Sequence, residues 1–417
     1  MKTIHNFIPR TATLLAIMCL SVDAADFRIW TSLKGTSIEA QLVSYNDGNV
    51  NLTTKEQKAI KLKVTDLSLA DRQHLVATAD AQEELLFNSE LTVPEHKYRK
   101  PKDFIKKLEE TMSIDYSELE FELYETKHFL FACAKGVNPR AIAETAEACW
   151  YGMAFQHNEF RENWGTTKSL LILTDSIDLY KTIGQYAVSQ LKDAGKDKQA
   201  EDLKESWDPT GSNLLLLPDS IIDKHDVRES ARVFRANDSK VYRKKFHSFQ
   251  THVITKTLLD VQMGGLATVS GNGLFAISNG HAYYKEIQLT KKTETNLISK
   301  DYEEGVGSKS GFKDGTSWAK SLRTLVKKEE VKPDIHQILS IKESNELTPP
   351  KLVTIYALSS YFQSNQKRMA NYAKLIRLMK SSKKTPKPDE IAEIFGFANA
   401  EEFQKDWIDY IKSRDFK

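Results

Sequence analysis

Residues 27–75 carry the tightest constraint in the chain: short apolar–polar alternations separated by turn residues, the pattern of a half-buried β-sheet. Ile38, Ala40 and Leu42 alternate with Ser37, Glu39 and Gln41, and Ile60, Leu62 and Val64 alternate with Lys61 and Lys63. Successive strand side chains point to opposite faces, so each run has one buried and one wet face. Asn46-Asp47-Gly48 separates two such runs, and these residue types accept the positive φ that tight hairpins require. Ser68-Leu69-Ala70-Asp71 reads as a helix start, with Ser68 capping free backbone N–H groups and Asp71 at the positive end of the dipole. Four or five strands and one closing helix predict a small barrel over 25–80, with Trp30 and Phe27 as core aromatics.

Residues 1–24 read as a secretory signal. Lys2 and Arg10 give a positive start, Leu14, Leu15, Ile17 and Met18 a short apolar core, and Val22-Asp23-Ala24 a cleavage site. The apolar run falls well short of the roughly 20 residues that span a bilayer, and no later stretch reaches that length. Met18 precedes Cys19 where a lipidation signal has a small residue, so the expectation is an exported chain cut near Ala24, secreted or periplasmic. With 59 Lys and Arg against 57 Asp and Glu, the formal charge is +2, which gives no argument for nucleic acid or an anionic membrane. Beyond the signal, Cys133 and Cys149 remain. Export permits a disulfide between them, and two buried thiols fit equally well.

After a polar helix and a linker over 81–102, with Pro94 and Pro101, the pattern changes. From residue 115 strand and helix periods alternate. Residues 119–123 and 128–134 read as neighbouring strands, 139–155 as a helix, 169–174 as a short apolar strand and 177–191 as a helix capped by Asp175 or Ser176. Residues 214–217 suggest a further strand, and beyond 245 the chain is mainly helical. The fold class is therefore multidomain: an all-β barrel, then an α+β, mainly helical domain over 103–417.

Several spaced positions in the first segment carry a resemblance: Arg28-Ile29-Trp30-Thr31, Gly35, Ile38-Glu39-Ala40, Val43-Ser44, Gly48, Val50, Leu52, Leu67-Ser68 and Asp71. Together they resemble the Sla-homology domain of secreted proteins of Planctomycetes and Verrucomicrobia. That resemblance implies an Src-homology-3-like barrel and peptide or protein binding. In the second segment, Ser248-Phe249-Gln250-Thr251-His252 and Ile277-Ser278-Asn279-Gly280-His281-Ala282-Tyr283-Tyr284 resemble the two zinc-site segments of the gluzincin peptidases with their chemistry removed. The family has His-Glu-x-x-His on one helix and a glutamate on the next, two histidines and that glutamate holding zinc while the first glutamate acts as base. By this resemblance His252 keeps the second histidine. Ser248 stands for the first, Phe249 for the base and Asn279 for the third ligand. The C-terminal run Ile394-Phe395-Gly396-Phe397 with Glu401, Glu402, Phe403 and Trp407 is also similar to segments that follow such domains.

Residue chemistry argues against a working zinc centre. His247 lies five positions before His252, which turns a helix by roughly 500° and leaves the two about 140° apart. Phe249 cannot polarise water, and Asn279 is a poorer zinc ligand than a carboxylate. His281 and Glu286, with His252 and His247, are the residues from which a substitute site would be assembled. If the scaffold persists, Val253, Thr257 and Leu258 face inward. His252 then lies beside Asn279 and Ser248, held by one of them or by a buried water. The leading expectation is a non-catalytic exported protein, without cofactor, that binds a protein, peptide or cell-envelope component. The alternatives are a divergent metallopeptidase or other hydrolase, with zinc as its cofactor, and a structural envelope protein.

Overall fold

The structure is a computed structural model and describes residues 27–33, 35–46, 48–79, 81, 83–92, 104–114, 119–157, 167–207, 211–265, 269, 271–295 and 315–417. The signal expected at 1–24 and residues 93–102 of the expected linker lie outside the described residues. The chain forms two compact units, Met1–Ala81 and Gln82–Lys417.

In the first unit β1 (Arg28–Thr31), β2 (Ser37–Asn46), β3 (Asn49–Thr54) and β4 (Ala59–Lys63) make an antiparallel sheet in the order β1-β2-β3-β4. The β2–β3 hairpin turns where Asn46 and Gly48 predicted it, and Gly48 takes a φ of 73°. Trp30, Ala40, Val50, Leu52, Val64, Leu67 and Leu75 are buried, and the Trp30 indole N–H donates to the Ala40 carbonyl at 3.0 Å. Phe27, expected in the core, is 40% exposed because it precedes the paired part of β1, and Lys55 lies over its ring.

Helix α1 (Leu69–Thr78) begins as its sequence indicated: the Ser68 hydroxyl accepts the Asp71 N–H. Asp71 then fastens the helix to the sheet. Its buried carboxylate pairs with Arg28 at 2.7 Å and accepts the Thr31 N–H at 2.7 Å and the Ser68 hydroxyl at 2.8 Å. Backbone bonds from Ser68 N–H to the Thr31 carbonyl and from Leu33 N–H to the Asp66 carbonyl tie the end of β1 to the segment after β4.

The second unit is built on a six-stranded mixed sheet. Its strands are β5 (Lys106–Ile114), β6 (Leu119–Glu125), β7 (Phe129–Cys133), β8 (Lys168–Leu173), β9 (Ser212–Leu216) and β10 (Val227–Phe234), in the order β5-β6-β7-β8-β10-β9. β7, β8 and β10 run parallel and the other pairings are antiparallel. Alternate residues of the parallel strands enter two separate cores. Leu130, Ala132, Leu170, Ile172, Ala231 and Val233 pack with α3 (Ile177–Asp193), α4 (Asp197–Trp207) and α5 (Asp219–His225). Phe129, Phe131, Cys133, Leu171, Leu173 and Phe234 pack with α2 (Arg140–Gln156), α6 (Ser248–Gln262), α7 (Leu274–Thr290) and the C-terminal helices.

Those C-terminal helices are α8 (Trp318–Lys327), α9 (Ile335–Ser340), α10 (Pro349–Phe362), α11 (Gln366–Ser382), α12 (Pro388–Ile394) and α13 (Ala400–Lys412). α6 and α7 pack together, and α10 lies against α7. The close approach of α10 depends on Gly280, where an added Cβ would stand 2.7 Å from the Ile355 carbonyl oxygen. Residues 83–92 belong to this unit: Asn88 donates to the Phe155 carbonyl at 2.7 Å, and Gln366 donates to the Phe87 carbonyl at 3.2 Å. Cys133 and Cys149 are both free and buried, so the disulfide that export would permit is not formed, and burial pushes both thiols up from their ordinary pKa.

The fragment 25–81 is expected to give a β-rich far-UV spectrum on its own. Within it Asp71→Ala, which strands Arg28 and two further donors, should lose about 2–4 kcal/mol in urea denaturation. An unfolded parent fragment, or a variant of unchanged stability, would contradict the role given to Asp71.

Candidate functional site

Helix α6 turns a stripe of polar residues, Ser248, His252, Lys256 and Asp260, toward α7 and the sheet. The four-residue spacing advances only about 40° around the helix at each step, so they share one face. Opposite them, α7 supplies Asn279 and Glu286, seven residues apart and again on one face. The helices run in opposite directions, which sets Glu286 against Ser248 and His252, and Asn279 against Lys256.

Glu286 has no exposed surface and is the hub of this seam. The Ser248 hydroxyl donates to Oε1, Thr295 donates to the same oxygen at 3.1 Å, and His252 Nδ1 lies 2.9 Å from Oε2. Ser248 also accepts the Glu294 backbone N–H at 2.6 Å. The His252 ring stands edge-on to Tyr283 at 4.6 Å, and Tyr283 donates to the Thr295 carbonyl. Burial lowers the His252 pKa, while the Glu286 hydrogen bond pulls it the other way.

The expectation that His252 is held by Asn279, Ser248 or a water is corrected: its partner is Glu286. Asn279 sits two turns away along α7. Its Oδ1 accepts from Lys256 Nζ at 3.0 Å, and its Nδ2 donates to the Phe275 carbonyl at 2.8 Å. Phe249 packs its ring onto Gly211, where an added Cβ would lie 2.6 Å from the ring. His247 is the residue before α6. Its Nδ1 is buried with no hydrogen-bond partner among the described residues, and burial lowers its pKa against the pull of Glu294 and Glu286. Of the residues from which a substitute site would be assembled, only His252 and Glu286 meet. His281, five positions before Glu286, points about 140° away around α7.

His281 belongs to a second polar cluster that the sequence reading missed. Its Nδ1 lies 3.0 Å from the Tyr372 hydroxyl, and its Nε2 is buried with no hydrogen-bond partner among the described residues. At its centre is Lys285, fully buried, whose ammonium position donates to Gln156 Oε1 and to Gln363 Oε1 (2.6 Å) and lies 3.3 Å from His157 Nε2. None of these contacts is a carboxylate. Burial therefore holds the Lys285 amine well below its ordinary pKa, and His157 and His281 well below theirs, with Lys285 adding to both shifts. The available sequence signal was two adjacent charged residues, Lys285 and Glu286, inside an apolar helix.

These residues do not fit a zinc centre. Among the described residues no three His, Cys, Asp or Glu side chains are placed to share a metal ion. Both Glu286 oxygens are engaged by protein donors, and a lysine ammonium occupies the Asn279 oxygen. No protein-family model, curated protein or solved structure matches the chain.

The buried bases fix the sign of a pH effect. His157, His252 and His281 have lowered folded pKa values, so the unfolded chain binds the extra protons and stability should fall as pH drops below about 6.5, by up to ~1.4 kcal/mol per pH unit for each. By the same logic Lys285 makes stability rise with pH toward about 10.4. Lys285→Met should cost about 1–3 kcal/mol, because two amide oxygens lose their donor, and should flatten the rise between pH 7 and pH 9. Denaturation of both proteins at pH 5, 7 and 9 checks this, and an equal slope in the variant would show that Lys285 is not its source.

Proposed function

We propose that this chain is a secreted, non-catalytic binding protein, in which an Src-homology-3-like barrel of the Sla-homology type precedes a gluzincin-like domain that has lost its zinc site. The observation that carries the reading is the closed bonding of the seam. Every position that the family resemblance assigns to metal or base is taken by a protein contact: Ser248 and His252 by Glu286, Asn279 by Lys256, and Phe249 by Gly211. Catalysis needs ligand positions open to substrate or water, whereas binding needs only a shaped polar surface. The backbone ties between the end of β1 and the segment after β4 support a closing barrel. Export rests on residues 1–24 alone. No helix among the described residues is long and apolar enough to cross a membrane. The partner class is a peptide, a protein or an envelope component.

Metal content tests the reading. The purified chain, after loading with zinc and desalting, is expected to retain far less than one zinc per molecule and to leave casein intact. Ser248→His alone should create zinc affinity, because position 248 and His252 already converge on Glu286 and would supply two histidines and a carboxyl group. Asn279→Glu alone should not. One tightly held zinc in the wild-type protein, lost in His252→Ala, would overturn the proposal.

A further inference from the structure

Beyond Glu286 the seam ends in charged groups that make few hydrogen bonds among the described residues. Arg232 projects from β10 on the sheet face that also carries Phe234, and only 9% of the residue is exposed. Its Nε donates to the Thr257 hydroxyl at 3.2 Å, and its Nη2 stands 3.7 Å from Asp260 Oδ2, beyond hydrogen-bond length. A guanidinium carries five N–H donors. Among the described residues, Arg232 places one of them. Lys256, one turn before Asp260, places one of its three N–H groups, on Asn279. The Asp260 carboxylate, 14% exposed, accepts no hydrogen bond among the described residues.

Charges this deep are costly unless paired and hydrogen-bonded. Here two cations face one anion, and the next carboxyl group along the seam, Glu286, is already engaged by Ser248, Thr295 and His252. The excess is one positive charge. We propose that Arg232 and Lys256 form a binding site for a single carboxylate, the C-terminal carboxylate of a peptide, with Asn279 orienting Lys256 and Asp260 setting the charge limit. A guanidinium fork matches two carboxylate oxygens in one plane, and Lys256 adds a donor from the side. A doubly charged anion such as phosphate would set its second charge against Asp260, so the site discriminates by charge as well as shape. This inference rests on the non-catalytic binding reading and names the chemistry that the peptidase-like domain would recognise.

Calorimetry on the full chain with N-acetyl-trialanine as the free acid, the same peptide as its C-terminal amide, and inorganic phosphate tests it. The free acid should bind at least about tenfold more tightly than the amide or phosphate. Lys256→Gln should weaken the acid about tenfold, and Arg232→Lys, which keeps the charge but loses the fork, should weaken it as well. Asp260→Asn should tighten the acid and raise phosphate affinity, a gain that a merely structural ion pair would not give. Because Lys256 and Asp260 retain some exposure, their variants are informative even if the Arg232 variant fails to fold. Equal binding of acid and amide, no binding of either at millimolar concentration, phosphate preferred by the wild type, or an Asp260→Asn variant unchanged toward the acid would each overturn the site. Zinc content and casein cleavage measured on the same samples separate the outcomes. Zinc-dependent cleavage removes the non-catalytic reading, whereas a metal-free protein indifferent to the acid removes this inference alone.

Discussion

A carboxyl group without solvent contact must find its hydrogen-bond partners inside the fold, and Glu286 finds three, in Ser248, His252 and Thr295. Leaving a buried polar group unmatched costs on the order of 1–3 kcal/mol. A shift of α6 along α7 by one turn, about 5.4 Å, would unmatch several at once. The pairing therefore sets the register of the two helices, and other contacts follow from it. Arg232 reaches Thr257 only when α6 sits at this height over β10. Lys256 meets Asn279 one turn further along the same seam. On another side of α7, Gly280 admits the backbone of α10.

Glu286 and its neighbour Lys285 solve the same burial problem in opposite ways. They are adjacent in sequence and about 100° apart around the helix, so they face different surroundings. Glu286 is matched by hydroxyl and imidazole groups, donors that suit a carboxyl oxygen. Lys285 is matched by two amide oxygens, which satisfy N–H groups without supplying a counter-charge, and its amine is correspondingly driven toward neutrality. Gln156 ends α2 and also donates to the Ser89 carbonyl, while Gln363 follows α10. The Lys285 cluster thus joins α7 to three separate stretches of chain. Its sensitivity to protons follows from that burial among uncharged partners.

Legibility in the sequence followed the range of the interaction. The β2–β3 hairpin, the Ser68 cap and the Ser176 cap each depend on a few consecutive residues, and each was readable. Two strands were not. β5 is a charged edge strand that buries little beyond Met112 and Ile114, and β10 carries Arg228, Glu229 and Ser230 between Val227 and its buried end. In both, the alternation is diluted by residues facing an edge or a crevice. The seam was half legible: Val253, Thr257 and Leu258 face inward as their spacing indicated. The pairing across it was not. His252 meets Glu286 rather than Asn279, and only the packed register of two helices, 34 residues apart in the chain at that contact, decides between them. Lys256, Arg232 and Gln363 gave no local signal, because an isolated charged or amide side chain is more often on the surface.

The seam changes character along its length, and the change has a physical direction. At the Ser248 end both Glu286 oxygens and the Ser248 hydroxyl accept hydrogen bonds and are buried, so these groups are fixed in place. At the Asp260 end the same helix face carries groups that are close but incompletely bonded, and partly open to solvent. Rigid matching at one end holds α6 at a set height over β10. At that height Arg232 bonds Thr257 and Lys256 bonds Asn279, while Asp260 stands 3.7 Å from the guanidinium. Had the Ser248 end been apolar, α6 could slide to close the 3.7 Å separation and complete the ion pair. The network around Glu286 therefore fixes the height at which the Asp260 end of α6 meets Arg232.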